Sequence, residues 1–284
     1  MRATDLYNQL EKDFVKAGIT ENWFDYMQDQ DDYICCNFRE RSMGLLYDFT
    51  EEIGKVYTAV FPSDKVLQGI LDDKASHAML FVHHPLTWDL DKNPNQVFYP
   101  VRMDLLEKLK ENHISVFNFH YPLDHFGKYA TSKTLAEALG VAIEQPFAEC
   151  NGAMCGVIGT IDCKDIHELN DIYAKAVGHE TKLYQYGTET IKNNRVGVCA
   201  GGGNDLDVVE EIIRHGINVL ISGLSVKNAY SVEAHRLEKE HGINLLGGTH
   251  YSSEKFACIA ICDYFRGLGL RSEFIHDVPC FADL

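Results

Sequence analysis

Short apolar runs alternating with amphipathic stretches constrain this chain more than any other feature. From Lys55 onward, Val56 to Phe61 reads as a strand, Asp64 to Asp72 as a helix and Ala78 to Val82 as a buried strand. Met103 to Asn112 then reads as a helix, Ile114 to Phe119 as a second buried strand, and Ser132 to Leu139 as a helix closed by Gly140. The pattern restarts with β-rich segments around Gly156 to Asp162, a helix from Ile166 to Val177, a strand Arg195 to Cys199 and a glycine turn at Gly201-Gly202-Gly203. A helix Asp207 to His215, a strand Asn218 to Ser222, a helix Tyr230 to Glu240, a strand Asn244 to Leu246 and a last helix Glu254 to Arg266 complete it. Such alternation predicts α/β layering with a largely parallel sheet.

Ahead of this pattern, Leu6, Leu10 and Phe14 give Thr4 to Ala17 helical spacing with a stop at Gly18, whereas Asp25 to Glu40 reads as irregular structure. With 284 residues, the chain is long enough for two lobes of ordinary size. The expected division is an N-terminal lobe over 1–145 and a C-terminal lobe over 146–284. Both halves follow the same α/β grammar, with no low-complexity linker between them.

A formal charge of −16 disfavours binding to nucleic acid or to an anionic membrane, both of which rely on clustered Lys and Arg. A small anionic substrate stays compatible, since metal cations reverse the field within a cleft. Met1 to Phe14 has the composition of neither a secretory signal nor a transit peptide, and the apolar runs fall far short of the roughly 20 residues that span a bilayer. Nine cysteines, irregularly spaced and without a C-x-x-C pair, argue against a disulfide framework and a zinc knuckle. Cytoplasmic localisation is therefore expected, with Cys258 and Cys262 as small buried residues on a helix face.

Three short segments carry the chemistry. Val82 to Leu86 (V-H-H-P-L) ends a buried strand at His83 and His84, and carboxyl ends of strands open onto the ligand crevice of an α/β sheet. Adjacent side chains on an extended backbone point to opposite sides, so this pair is suited to two ions rather than to one. Phe119 to Asp124 (F-H-Y-P-L-D) repeats the arrangement with His120 and Asp124, a donor mixture suited to zinc, manganese or iron. His113 and His125 lie nearby and read as solvated or supporting histidines. Gly247 to Glu254 (G-G-T-H-Y-S-S-E) leads from a strand into a helix, with His250 in the turn, Ser252 as N-cap and Glu254 in the first helical turn. Six donors exceed what one tetrahedral ion needs, whereas two ions about 3.5 to 4 Å apart, bridged by Glu254 or Asp124, would use them. The turn Gly201-Gly202-Gly203-Asn204 lacks both nucleotide-binding glycine spacings and reads as a tight turn rather than a phosphate cradle.

In this order, H-H-P-L, H-Y-P-L-D and a glycine-led H-Y-x-x-E resemble the NIF-three-like family, whose members are often named GTP cyclohydrolase I type 2 homologues. The resemblance runs from about Val56 to Leu270 and includes N-G-A-M-C-G-V-I-G at Asn151 to Gly159 and the strand with its glycine turn at Val196 to Gly203. It implies two similar, interlocked α/β lobes with mixed, largely parallel sheets, a metal site in the cleft between them and, commonly, a ring-shaped homohexamer. It also implies a dinuclear divalent-metal site with ligands His83, His84, Asp124, His250 and Glu254, and with His120 as ligand or close neighbour. Two departures fall on the substrate pocket rather than on the metals: Phe61-Pro62 stands where members usually have Leu-Asp, and Leu224 to Asn228 replaces an acidic residue and a histidine.

The function expected is that of a metal-dependent hydrolase acting on a nucleotide-like or other small substrate through a metal-activated water. Glu254 and His120 are the candidate catalytic groups, with His125 as a second candidate proton carrier. The alternative is a non-catalytic metal-binding oligomer that serves as a scaffold or regulator, its acidic surface meeting other proteins.

Overall fold

The computed structural model describes residues 1–93 and 95–284. Its contacts divide the chain into two compact units, Met1–Leu123 with Cys258–Val278, and Asp124–Ala257 with Pro279–Leu284. This division differs from a single boundary at 145/146, because the chain changes unit at three points. It assigns Asp124 to the same unit as His250 and Glu254.

The first unit opens with α1 (Ala3–Phe14), which ends four residues before Gly18. The Asp25 to Glu40 region holds more structure than its composition suggests: two 3-10 turns at Trp23–Tyr26 and Gln28–Tyr33, then α2 (Cys36–Arg41). Turns this short carry no periodic apolar stripe for a sequence reading to detect. Strands β1 (Gly44–Tyr47) and β2 (Lys55–Ala59) follow, then α3 (Asp64–Asp72), whose N-cap Ser63 accepts a hydrogen bond from the Val66 N–H. Next come β3 (Ala78–Val82), a small hairpin of β4 (Thr87–Trp88) and β5 (Phe98–Tyr99), α4 (Met103–Glu111), β6 (Ile114–Asn118) and the single turn α5 (Tyr121–Asp124).

The second unit contains α6 (Thr131–Ala138), the long hairpin β7 (Ala142–Cys150) and β8 (Ala153–Thr160), and α7 (Ile166–Val177), capped by Asp165 and closed by Gly178. It continues through β9 (Lys182–Tyr184), β10 (Arg195–Cys199), α8 (Leu206–Arg214), β11 (Val219–Ser222), α9 (Val232–His241) and β12 (Asn244–Gly247). Helix α10 (His250–Ala260) starts in this unit, and α11 (Cys262–Gly267) and β13 (Arg271–Phe274) belong to the first.

Both sheets are mixed. The first has the order β1-β6-β3-β2-β13, with only β1 antiparallel to its neighbour. The second has the order β7-β8-β10-β11-β12-β9, parallel only from β10 to β12. Its larger antiparallel share comes from the β7–β8 hairpin and from β9, segments too short or too polar to declare a direction in the sequence. Strands β3 and β6 are buried along their whole length, which is what a parallel sheet covered on both faces requires. Leu67 and Ile70 from α3 and Leu105, Leu106 and Leu109 from α4 cover one face, and Tyr7 from α1 and Phe265 from α11 pack on Phe117 and Phe81 on the other.

None of the nine cysteines is disulfide-bonded. Cys258 and Cys262 are buried, and the Cys258 thiol donates to the Ala59 carbonyl at 3.2 Å. No helix among the described residues is long and apolar enough to cross a membrane.

Candidate metal centre

In the first unit, parallel pairing puts the carboxyl ends of β3 and β6 side by side, with Val82 opposite Asn118. His83 and His84 leave β3 directly, and His120 follows β6 by two residues. The three rings gather closely, with centroids 4.5 Å apart for His83 and His84, 5.0 Å for His83 and His120, and 4.6 Å for His84 and His120. One nitrogen from each can be chosen so that all three lie within 4.8 Å of one another. Alternation along an extended strand therefore does not separate His83 from His84, because the strand has ended and the chain bends there. His83 and His84 are buried and His120 is partly so.

Hydrogen bonds settle the orientation of two of these rings. His83 Nδ1 lies 3.1 Å from the Phe119 carbonyl oxygen, which only accepts, so Nδ1 carries the proton and the lone pair sits on Nε2. His120 Nδ1 lies 2.7 Å from a carboxylate oxygen of Glu21. His84 is held by aromatic faces: Phe61 stacks on it at 4.7 Å, and Trp23 meets it edge-on at 5.8 Å. Phe61, a departure from the family pattern, thus forms part of the wall around a candidate ligand.

In the second unit the candidate ligands are Asp124, His250 and Glu254. Helix α10 begins at His250 rather than at Glu254, and Thr249, not Ser252, caps it by accepting the Ser252 N–H at 3.2 Å. His250 and Glu254 therefore stand one helical turn apart on one face, with His250 Nε2 3.2 Å from Glu254 Oε1. Ser252 instead turns its hydroxyl to His179 Nε2 at 2.7 Å. Asp124 Oδ1 accepts from the Thr131 hydroxyl at 2.8 Å, which fixes the carboxylate against the start of α6.

The glycine turn after β10 serves this helix. Gly201 has φ +63°, and a Cβ there would overlap Glu254 Oε1. Its N–H donates to Ser253 Oγ at 2.9 Å and its carbonyl accepts from the Leu224 N–H at 2.8 Å. Gly201 is therefore a close-approach support for Glu254, with its own N–H and carbonyl engaged within the fold.

Two residues that the motifs did not single out hold two of these candidate ligands. Glu21 grips His120, and Asp283, fully buried near the carboxyl end, accepts the His250 N–H through Oδ2 at 2.8 Å. A carboxylate at this helix N-terminus is favoured by the backbone dipoles. Neither carries a local sequence signal, because each acts on a partner far away in the chain. His113 lies at the opposite end of β6 from His120, exposed and stacked on His77 at 4.9 Å, so it is a surface residue. His125 is buried in the second unit.

A family model described as Duf34/NIF3 (NGG1p interacting factor 3) matches residues 38–277. A protein of Archaeoglobus fulgidus named GTP cyclohydrolase 1 type 2 homolog is 27% identical over 241 residues, covering 83% of this chain and 89% of its own. A protein of the same name from Borreliella burgdorferi is 25% identical over 213 residues, covering 75% and 79%. Among solved structures, protein ybgI, described as of unknown function, superposes with a TM-score of 0.76 at 20% identity, covering 99% of this chain and 100% of its own. Reduced HcgD from Methanocaldococcus jannaschii gives a TM-score of 0.67 at 22% identity, covering 98% of each chain. These two likenesses bear on the fold alone.

Proposed function

Because this chain belongs to the DUF34/NIF3 family, we propose that it is a dinuclear metal protein that hydrolyses a small, nucleotide-like substrate. Its ligands in this reading are His83, His84, His120, Asp124, His250 and Glu254. The observation that carries the reading is the gathering of the three imidazoles at the ends of β3 and β6. Two of these rings are buried, where a bound cation would be shielded from water, and neutral imidazole is a good ligand for a divalent ion.

The second set adds two carboxylates, which supply the negative charge that a pair of divalent cations needs. Imidazole and carboxylate donors together suit zinc, manganese or iron. Divalent ions held by this set would supply Lewis-acid polarisation of the substrate and an acidified water. The protein's own part is to fix the donors and handle the proton. His83 is oriented by the Phe119 carbonyl, and Asp124 by the Thr131 hydroxyl. Glu254 takes the role of proton carrier, its Oε1 supported by the His250 ring. His120, paired with Glu21, acts as a ligand rather than as a shuttle. Self-association into a homohexamer is part of the same reading, and sedimentation of the purified protein tests it.

Metal analysis of freshly purified protein, paired with a screen against phosphoesters, nucleotides and cyclic amides, tests the function. About two ions per chain and a turnover lost in Glu254→Ala support the reading. Fewer than about one ion per chain overturns it. Bound metal without turnover, together with capture of a stable partner, supports the scaffold alternative.

A further inference from the structure

Glu21 lies in the segment between α1 and α2, outside the residues matched by the family model. Its side chain is only 3% exposed. Burying a carboxylate is costly unless its oxygens receive hydrogen bonds, and here three donors converge on it. Oε2 accepts from His120 Nδ1 at 2.7 Å and from the Trp23 indole N–H at 2.6 Å, and Oε1 accepts from the Tyr121 N–H at 3.2 Å. The Glu21 N–H donates to the Arg41 carbonyl at 3.0 Å, which ties the segment to the end of α2. Trp23 stands edge-on to His120, with centroids 5.1 Å apart.

We propose that Glu21 is the positioning residue that makes His120 a metal ligand. Its carboxylate keeps the His120 proton on Nδ1 and the ring in one rotamer, so that Nε2 is the nitrogen presented alongside His83 and His84. The Trp23 indole holds the carboxylate in turn. Metal-binding histidines commonly donate their second ring N–H to a carboxylate, which fixes the tautomer and raises the basicity of the ligand nitrogen. Glu21 plays that part from outside the residues that the family model matches, so the family motifs alone do not specify the role of His120.

The inference rests on the metal-binding reading, and two measurements separate its failure from the failure of that reading. The first uses chelator-stripped full-length protein labelled with 15N at the histidine ring nitrogens, with His120 assigned by the spectrum of His120→Ala. The wild type is expected to show His120 protonated at Nδ1 without any metal present, and Glu21→Ala to show a mixture of tautomers. An Nε2-protonated His120 in the wild type overturns the proposal whether or not metal binds. The second is titration of stripped protein with Zn2+. Glu21→Ala is expected to weaken binding by about 10- to 100-fold, the usual effect of losing such a carboxylate, and to cause no further loss when combined with His120→Ala. Glu21→Gln keeps an acceptor oxygen for His120 and is expected to retain most of the affinity; should Glu21→Ala fail to fold, the tautomer of His120 in the wild type still decides the proposal. Unchanged Zn2+ affinity in folded Glu21→Ala overturns the proposal, as does an equal loss in the His120→Ala background. A wild type that binds no Zn2+ refutes the metal reading while the tautomer still reports on Glu21.

Discussion

In the first unit, β2, β3 and β6 run parallel with α3 and α4 between them, and candidate ligands stand after the second and third strands. In the second unit, β10, β11 and β12 repeat that run with α8 and α9, yet His250 and Glu254 follow only the third strand. After β11 the chain instead places Gly223 and Leu224, and the Leu224 N–H supports the glycine turn. The donor types differ as well: three imidazoles in one unit, two carboxylates and one imidazole in the other. One supersecondary frame thus recurs beside two unequal sets of candidate ligands. Neutral rings supply directional lone pairs, and carboxylates supply charge and the option of bridging.

The largest effect should come from removing the charged half. Glu254→Ala is expected to lower metal content from about two ions per chain to well under about one, and His83→Ala to lower it only to about one. Elemental analysis of both variants reads the comparison directly. Equal retention of metal in the two would break it.

The supports of the two sets can be compared next. Asp283 is buried and caps α10 at His250, so Asp283→Ala should cost roughly 1.5–3 kcal/mol in urea unfolding, because it leaves a helix N–H without its charged acceptor. A loss below about 0.5 kcal/mol, the range of ordinary surface changes, would mean that the carboxyl-terminal segment does not hold the second set.

A smaller, pH-dependent effect belongs to the second unit alone. Glu238 on α9 is fully buried, and desolvation pushes its carboxyl up to about 8 from 4.5. Around it lie His235, whose Nδ1 is 3.3 Å from Glu238 Oε2 and whose pKa is lowered below 6.5 by burial, and Tyr184 and Tyr186, both raised by burial and by Glu238. Above pH 6.5 the His235 contribution is spent, and folded Glu238 keeps a proton that the unfolded chain has released. Stability therefore falls as pH rises, by roughly 2 kcal/mol between pH 6.5 and 8. Urea unfolding across that window should show the slope, and Glu238→Gln should flatten it. The smallest expectation is for His113→Ala, which should change stability by less than about 0.5 kcal/mol and leave metal content as it was.

The strands that carry the first ligand set were legible because Ala78–Val82 and Ile114–Asn118 are short, unbroken apolar runs that end at histidine. Helices α3 and α7 were legible as amphipathic stretches between strands, and their caps, Ser63 and Asp165, emerged only in the structure. The β7 strand was not, since its exposed and buried positions mix Glu, Gln and Pro with apolar residues. The start of α10 was misplaced because three hydroxyl residues compete for the cap in T-H-Y-S-S, and local sequence does not say which one the rest of the fold will employ.

By itself, then, the sequence determined the α/β alternation, the strand ends and the six donors, because periodicity and residue chemistry are local properties. Tertiary structure decided which acceptors face His83 and His120 Nδ1, that His250 and Glu254 share one helix face, and that Glu21 and Asp283 contact His120 and His250. Those depend on hydrogen bonds between residues far apart in the chain, such as the 99 positions from Glu21 to His120, and no local pattern encodes a partner at that distance.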